Sequence, residues 1–230
     1  MNITIPRKIL KPFMSAFNPS LMDGRSINPL ELTKQYMLIS DGIVFFANHL
    51  PVFEQFLEEF SMSLTSKDCV KFKKALNTCK DNPVFCDDSV VIGDQRIPYF
   101  LGRTSVLNDF YQQNIAQTMA AKNKHINVIM DNVPGARIMI FYEHSIVYAG
   151  PGYKVHDENH TGALKQVPVD NTDLFEYCHY PVACDYRIMK KIVEMYKKLK
   201  LVPNFEFSKN NHCITCYTPY VAGVFMVRRT

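Results

Sequence analysis

The 230-residue sequence contains no tryptophan, so its aromatic packing rests on 16 Phe and 12 Tyr. It also lacks a long apolar run. Asp41, Asn48, Asp131 and Glu143 interrupt every stretch that approaches the ~18 uninterrupted apolar residues of a membrane-spanning helix, and no membrane partner is expected. Between Met1 and Phe17, Lys11 and Pro12 break the segment before it reaches the length of a secretory signal, so the expectation is a protein that is not secreted. Glycine-rich nucleotide motifs are missing as well. Gly150-Pro-Gly152 and Pro134-Gly135 are turn formers that fit neither G-x-G-x-x-G nor a P-loop, and proline removes an amide that a phosphate would use. A large charge excess is absent: the formal net charge is +4 and the pI near 8.6. That falls short of the clustered excess of a dedicated nucleic-acid binder, and it leaves molecules free to approach one another closely.

What is present suffices for one substantial core, with 47% hydrophobic residues and no sequence repeat, linker or low-complexity segment to divide it. The expectation is a single domain over residues 1–230, with an N-terminal arm, Met1 to Ile27, and a long irregular loop, Gly150 to Thr172, both long enough to reach neighbouring molecules.

Local signals predict the elements. Asn28-Pro29-Leu30-Glu31 combines an N-cap residue, a proline at the first helical position and a glutamate, which predicts a helix to Ile39. Asp41-Gly42 turns the chain into a strand, Ile43 to Ala47. Pro51 opens a helix with Val52, Phe53, Phe56, Leu57 and Phe60 on one face. Ser66 caps another, with Cys69, Phe72, Leu76 and Cys79 inward. Val90 to Ile92 reads as a short strand. Ser105 caps a helix to Lys122, with Leu107, Phe110, Tyr111 and Ile115 inward. Ile126 to Met130 and Ile138 to Ala149 read as an antiparallel pair across Pro134-Gly135. Asp185 caps a last helix to Lys200, and strands follow at Phe205 to Ser208, Cys213 to Tyr217 and Tyr220 to Arg228. The fold class is α+β: an antiparallel β-sandwich core decorated with about five helices.

Seven cysteines cannot all pair within one chain, which points to a reducing compartment. Cys213-Ile-Thr-Cys216 has the spacing of a zinc knuckle. With Cys178 and Cys184, which stand further apart than a second knuckle requires, it forms a candidate zinc set beside His179 and His212; buried thiols are the competing explanation. Cys86, Cys178, Cys184, Cys213 and Cys216 lie near turns or strand ends and are candidates for disulfides between molecules, whereas Cys69 and Cys79 look like core residues. A redox role for Cys213 and Cys216 would need a helix N-terminus, and a turn and a strand stand there instead. His156-Asp157-Glu158-Asn159-His160 suits either metal or acid–base work, or is a solvated polar loop. Two helices are basic, one with Lys67, Lys71, Lys73 and Lys74, the other with Arg187, Lys190, Lys191, Lys197, Lys198 and Lys200. They suit contact with a phosphate backbone, or are solvated faces opposite Ile188, Ile192 and Leu199. No catalytic motif and no cofactor site emerges.

Pro151-Gly-Tyr153-Lys-Val-His156-Asp157 resembles the P-x-Y-x-x-H-D stretch of the polyhedrin and granulin family, the matrix proteins of insect-virus occlusion bodies. The order of elements after Ile126 is similar to the latter half of that family. The resemblance implies a structural, non-enzymatic protein that self-assembles into a crystalline matrix, with virions embedded in it, in the host-cell nucleus or cytoplasm, and that dissolves at alkaline pH as tyrosines ionise and lysines neutralise. Pro151, Tyr153, His156 and Asp157 are then the motif residues. Two alternatives stand beside it: a nucleic-acid-associated viral factor using the basic helices, with a candidate C-terminal zinc site, and an enzyme whose site is assembled from distant residues.

Overall fold

Short segments rich in β-branched and aromatic residues, separated by turns, carry most of this chain into strands. The computed structural model describes residues 2–22, 28–33, 36–49, 61–101, 106–156, 159 and 161–227. The helix expected from Pro51 to Phe60, the Ser105 cap, and Asp157, Glu158 and His160 lie outside the described residues. In chain order the first half comprises β1 (Ile3–Thr4), α1 (Arg7–Ala16), β2 (Leu30–Thr33), β3 (Met37–Ser40), β4 (Val44–Asn48), β5 (Ser61–Leu64), α2 (Ser66–Thr78), β6 (Val84–Phe85), β7 (Ser89–Ile92), β8 (Gln95–Pro98) and β9 (Phe100–Leu101). A connector follows: α3 (Val106–Phe110), a π-helical turn (Tyr111–Ile115) and α4 (Ala116–Ala120). The second half comprises β10 (Lys124–His125), β11 (Ile138–Phe141), β12 (Ser145–Ala149), β13 (Ala163–Pro168), α5 (Thr172–Cys178), β14 (Val182–Asp185), α6 (Tyr186–Lys198), β15 (Asn204–Ser208), β16 (Cys213–Tyr217) and β17 (Val221–Met226).

The two halves repeat one plan. Strands run β1-β6-β7-β8 in the first and β10-β15-β16-β17 in the second; likewise β4-β3-β2-β5 and β13-β12-β11-β14. Registers correspond too: Ile3↔Phe85 and Phe85↔Val90 match Lys124↔Phe207 and Phe207↔Ile214. Pairing of β17 with β4, Gly223 opposite Phe46 and Val224 opposite Phe45, joins the halves. The result is a nine-stranded sheet, β10-β15-β16-β17-β4-β3-β2-β5-β9. The fold is α+β, and every pairing among the described strands is antiparallel.

One face of each long helix joins a common core. Leu10, Phe13 and Met14 of α1, Cys69, Phe72 and Leu76 of α2, and Met189, Ile192, Met195 and Tyr196 of α6 are buried against Leu30, Leu32, Phe46, Phe141, Tyr148 and Phe225 of the sheets.

Four expectations are corrected. Asn28 to Ile39 is not a helix but contains β2 and β3, because Leu30 and Leu32 pack into the main core while Leu38 faces the connector, so both faces of the hairpin are covered. Tertiary pairing overrides the capping signature there. Ile126 to Met130 is not a strand: after Lys124–His125 only the Ile126 amide continues the ladder, to the Phe205 carbonyl at 2.9 Å, and β11 pairs instead with β12 and β14. The stretch from Gly150 to Thr172 is not irregular throughout, since Ser145 to Ala149 pairs with β13 inside it. The segment expected as an N-terminal arm carries β1 and α1, with Ile5, Leu10, Phe13 and Phe17 buried.

Candidate nucleic-acid interface

The three long helices form one layer, in which α2 and α6 are counterparts in the repeat and α1 has no counterpart between β10 and β11. Helix α1 lies between α2 and α6. Against α2, Arg7 Nε donates to the Leu76 carbonyl at 2.7 Å and Lys73 Nζ to the Phe17 carbonyl at 2.5 Å. Toward α6, Ala16 and Asn18 share a cleft of about 290 Å³ with Ile188 and Lys191. Equivalent caps start the two long helices. Thr65 Oγ1 accepts from the Asp68 amide at 3.1 Å, and Asp185 Oδ1 accepts from the amides of Arg187 and Ile188 at 2.9 and 3.3 Å. Lys197 and Lys198 occupy the last turn of α6, where cations complement the helix dipole.

With the apolar faces turned inward, the charged residues on these helices are predominantly cationic. Twelve of the chain's 26 Lys and Arg lie on α1, α2 and α6, against two of its 22 acids, Asp68 and Glu194. Elsewhere 14 basic and 20 acidic residues remain, so the rest of the molecule is net negative. Lys8, Lys67, Lys71, Lys74, Arg187, Lys191, Lys197 and Lys198 are exposed. Lys71 pairs with Asp68 at 2.8 Å and Arg187 with Asp185 at 2.9 Å. Burial, and then the nearby Lys191 ammonium, lowers the pKa of Lys73, which shows that α2 and α6 bring like charges within range of each other. Such a layer attracts polyanions and offers no group arranged to read bases. Lys200, grouped with α6 by sequence, follows the helix at a positive φ of 58°. The basic residues of α1 were not recognised as part of a helix, although Leu10, Phe13, Met14 and Phe17 recur at helical spacing opposite Lys8 and Lys11.

The other candidates are scattered. Cys213 and Cys216 stand three apart on β16 and therefore face opposite sides of the sheet. Cys213 joins the outer cluster of Leu38, Phe45 and Val224, while Cys216 joins the main core. Cys178 Sγ sits 3.1 and 3.0 Å from the carbonyls of Leu174 and Tyr180, and Cys184 is fully buried on β14. Among the described residues no group of three or more His, Cys, Asp and Glu is placed to hold a metal ion. None of the seven cysteines forms a disulfide. Burial pushes Cys213 up to about 11 and Cys216 up to about 12. Of the candidates for intermolecular disulfides, Cys178, Cys184, Cys213 and Cys216 are buried and Cys86 is half-buried. Tyr153 pads an apolar patch of Ile138, Ile140, Val147 and Ala183. His156 lines a cleft of about 470 Å³ with Tyr142, Glu143, His144 and Gln166, and Pro151 is an exposed turn residue.

The repeated plan, the sheet that crosses both halves and the helical layer give a fold similar to that of solved sliding clamps. The chain is similar to the DNA polymerase III beta subunit of Borrelia burgdorferi, solved in complex with a natural product, at a TM-score of 0.59 and 11% identity, covering 100% of this chain and 64% of that one. It is similar also to the Helicobacter pylori beta clamp bound to a DNA ligase peptide, at 0.56 and 7%, covering 100% and 66%, and to the Caulobacter crescentus beta sliding clamp, at 0.55 and 9%, covering 100% and 65%. The chain thus spans just under two thirds of the length of these proteins. No protein-family model and no curated protein matches the sequence.

These neighbours overturn the occlusion-body expectation. Their fold is that of clamps, not of polyhedrin or granulin, and the crystalline matrix, the embedded virions and the alkaline dissolution fall with that resemblance. The motif that suggested it is a local packing solution, in which the Pro151-Gly152 turn delivers Tyr153 and Val155 onto a small apolar patch. No helix among the described residues is long and apolar enough to cross a membrane.

Proposed function

We propose that this chain is a DNA-associated replication factor of the clamp type, which engages the phosphate backbone through α1, α2 and α6. The observation that carries this reading is the segregation of charge: net positive on three adjacent helices and net negative over the rest. A net-negative remainder favours approach of duplex DNA by the helical layer. Lysines on helix surfaces contact phosphates without selecting sequence, as a factor that moves along DNA requires. The sheet that crosses both halves supports treating residues 1–230 as one working unit. The compartment of action is the one that holds the DNA, nucleus or cytoplasm.

Binding of a fluorescent duplex, followed by anisotropy across a salt series, tests this. The slope of log K against log salt should be steep and independent of sequence. K74E/K191E should make the slope shallower by about 2 and weaken binding at least ~10-fold near 0.1 M salt, because each phosphate contact contributes about 0.9 to the slope. K122E, placed beyond the helical layer, should leave both unchanged. Absence of binding at ~50 mM salt, or equal losses in both variants, rejects the proposal.

A further inference from the structure

The connector does more than join the halves. Leu107 and Ile115, with half-buried Tyr111 and Met119, lie on an outer strip formed by Tyr36, Leu38, Phe45, Ala47, Cys213 and Val224. That strip continues past the helix: Met226, opposite Cys213 on the neighbouring strand, is 52% exposed. The apolar contact is thus narrow, and much of the attachment is polar. Glu31, 2% exposed on β2, accepts from the backbone amides of Leu107 and Asn108 at the start of α3, and its Oε2 has no hydrogen-bond partner. Tyr36 donates its hydroxyl hydrogen to Asn108 Oδ1, and Gln112 Nε2 donates to the Tyr36 hydroxyl at 3.4 Å. His49 Nε2 lies 3.3 Å from the Tyr111 hydroxyl, and Asn211 Nδ2 donates to Thr118 Oγ1 at 2.9 Å at the far end. Between these attachments the helix is broken by the π-helical turn at Tyr111–Ile115, a geometry associated with functional sites.

We propose that residues 106–120 form a cover latched onto the outer strip by Glu31 and Tyr36, docked while Glu31 is protonated and loosened when it ionises. A buried carboxylate with one unpartnered oxygen is tolerable as a neutral acid and costly as an anion, whereas lifting the cover returns it to water. Burial raises its pKa to about 7 against the pull of the two amides, and the Asp109 carboxylate on the cover pushes in the same direction as burial. The docked form therefore holds the proton more tightly than an open form whose Glu31 titrates at its ordinary value. Docking is strongest below that ordinary value and is lost as pH rises through about 7. On the sheet side burial raises the pKa of Tyr36, and the nearby Glu31 carboxylate adds to it, so Tyr36 stays neutral through this range. His49, with its ring centroid 5.1 Å from that of Tyr36, has the opposite sign: burial lowers its pKa, so docking favours the neutral imidazole.

The absence of tryptophan makes the test direct. In the full chain, Phe110→Trp places a single reporter where Phe110 packs 5.7 Å from Phe45, ring to ring. Its emission should shift to the red with a midpoint near pH 7, and hydrogen exchange of residues 106–120, corrected for the intrinsic pH dependence, should quicken by up to about tenfold between pH 6 and pH 8. Adding Glu31→Gln should remove the midpoint, while Tyr36→Phe should loosen the cover at every pH. An unchanged midpoint in the Glu31→Gln background overturns the proposal. So does equal quickening of exchange in β16, which would signal general unfolding. DNA affinity is read separately, on a face this cover does not touch, so failure here leaves the clamp-type proposal standing.

Discussion

Cys79 and Cys86 are the half-buried thiols of this chain; Cys69, Cys178, Cys184, Cys213 and Cys216 are buried. Thiol reactivity follows access and thiolate fraction, and burial opposes both. In the native protein an alkylating reagent followed by mass spectrometry should label Cys79 and Cys86 first, with the buried five slower by about two orders of magnitude. Fast labelling of Cys178 or Cys216 would contradict their burial. Sequence periodicity placed Cys69 correctly because it lies inside the helix, on the buried face with Phe72 and Leu76. It placed Cys79 too deep, since that residue caps the C-terminus of α2 and spacing marks a face better than an end. The zinc knuckle illustrates a different limit. Cys213 to Tyr217 reads as a strand, and a strand's period of two separates residues three apart onto opposite faces. A knuckle and a strand are therefore incompatible there, and Cys213 and Cys216 enter different apolar clusters.

Among the elements, α6 was the most legible, because its signals are local: a capping aspartate, apolar residues at helical spacing and cations in the last turn. Helix α1 was hidden by Pro12, which the core accommodates, and β2 and β3 were hidden by a capping signature that long-range pairing overrules. The Asp185 cap makes a quantitative prediction. Burial alone would raise its pKa, yet the hydrogen bonds from Arg187 and the Ile188 amide outweigh burial and hold it below the ordinary carboxylate value. A depressed native pKa contributes stability that is complete above the unfolded value, near 3.9, and is lost as pH falls through the native one. Asp185→Ala should therefore cost about 1 kcal/mol in urea denaturation at pH 7, and the difference should shrink toward zero near pH 2. Asp185→Asn should recover most of the loss at neutral pH. An equal cost for Asp185→Ala at both pH values would mean that packing, not the cap, was disturbed.

At the scale of the molecule, two features lay beyond the sequence. Net charge is a sum over faces, and +4 conceals a cationic layer offset by an acidic remainder. The repeat is carried by strand order and register, not by residue identity: Phe85 and Phe207 correspond, but Thr65 answers to Asp185 and Leu30 to Met139, so no sequence period survives. The seam between the halves is equally specific. A Cβ at Gly223 would stand 2.6 Å from Cδ1 and Cε1 of Phe46 and 2.9 Å from Cys216 Sγ, so the glycine lets β17 pass beneath a buried ring. Because the nine-stranded sheet and the helical core both cross this seam, calorimetry should show one cooperative transition with equal calorimetric and van't Hoff enthalpies. Gly223→Ala overpacks the seam and should lower stability by roughly 1–3 kcal/mol, shifting that single transition as a whole. If the halves folded independently, the variant would leave part of the heat absorption at its original temperature. A second, unshifted peak would then mean that the seam only joins two finished structures, and that the continuous helical layer offered to DNA is not held together by it.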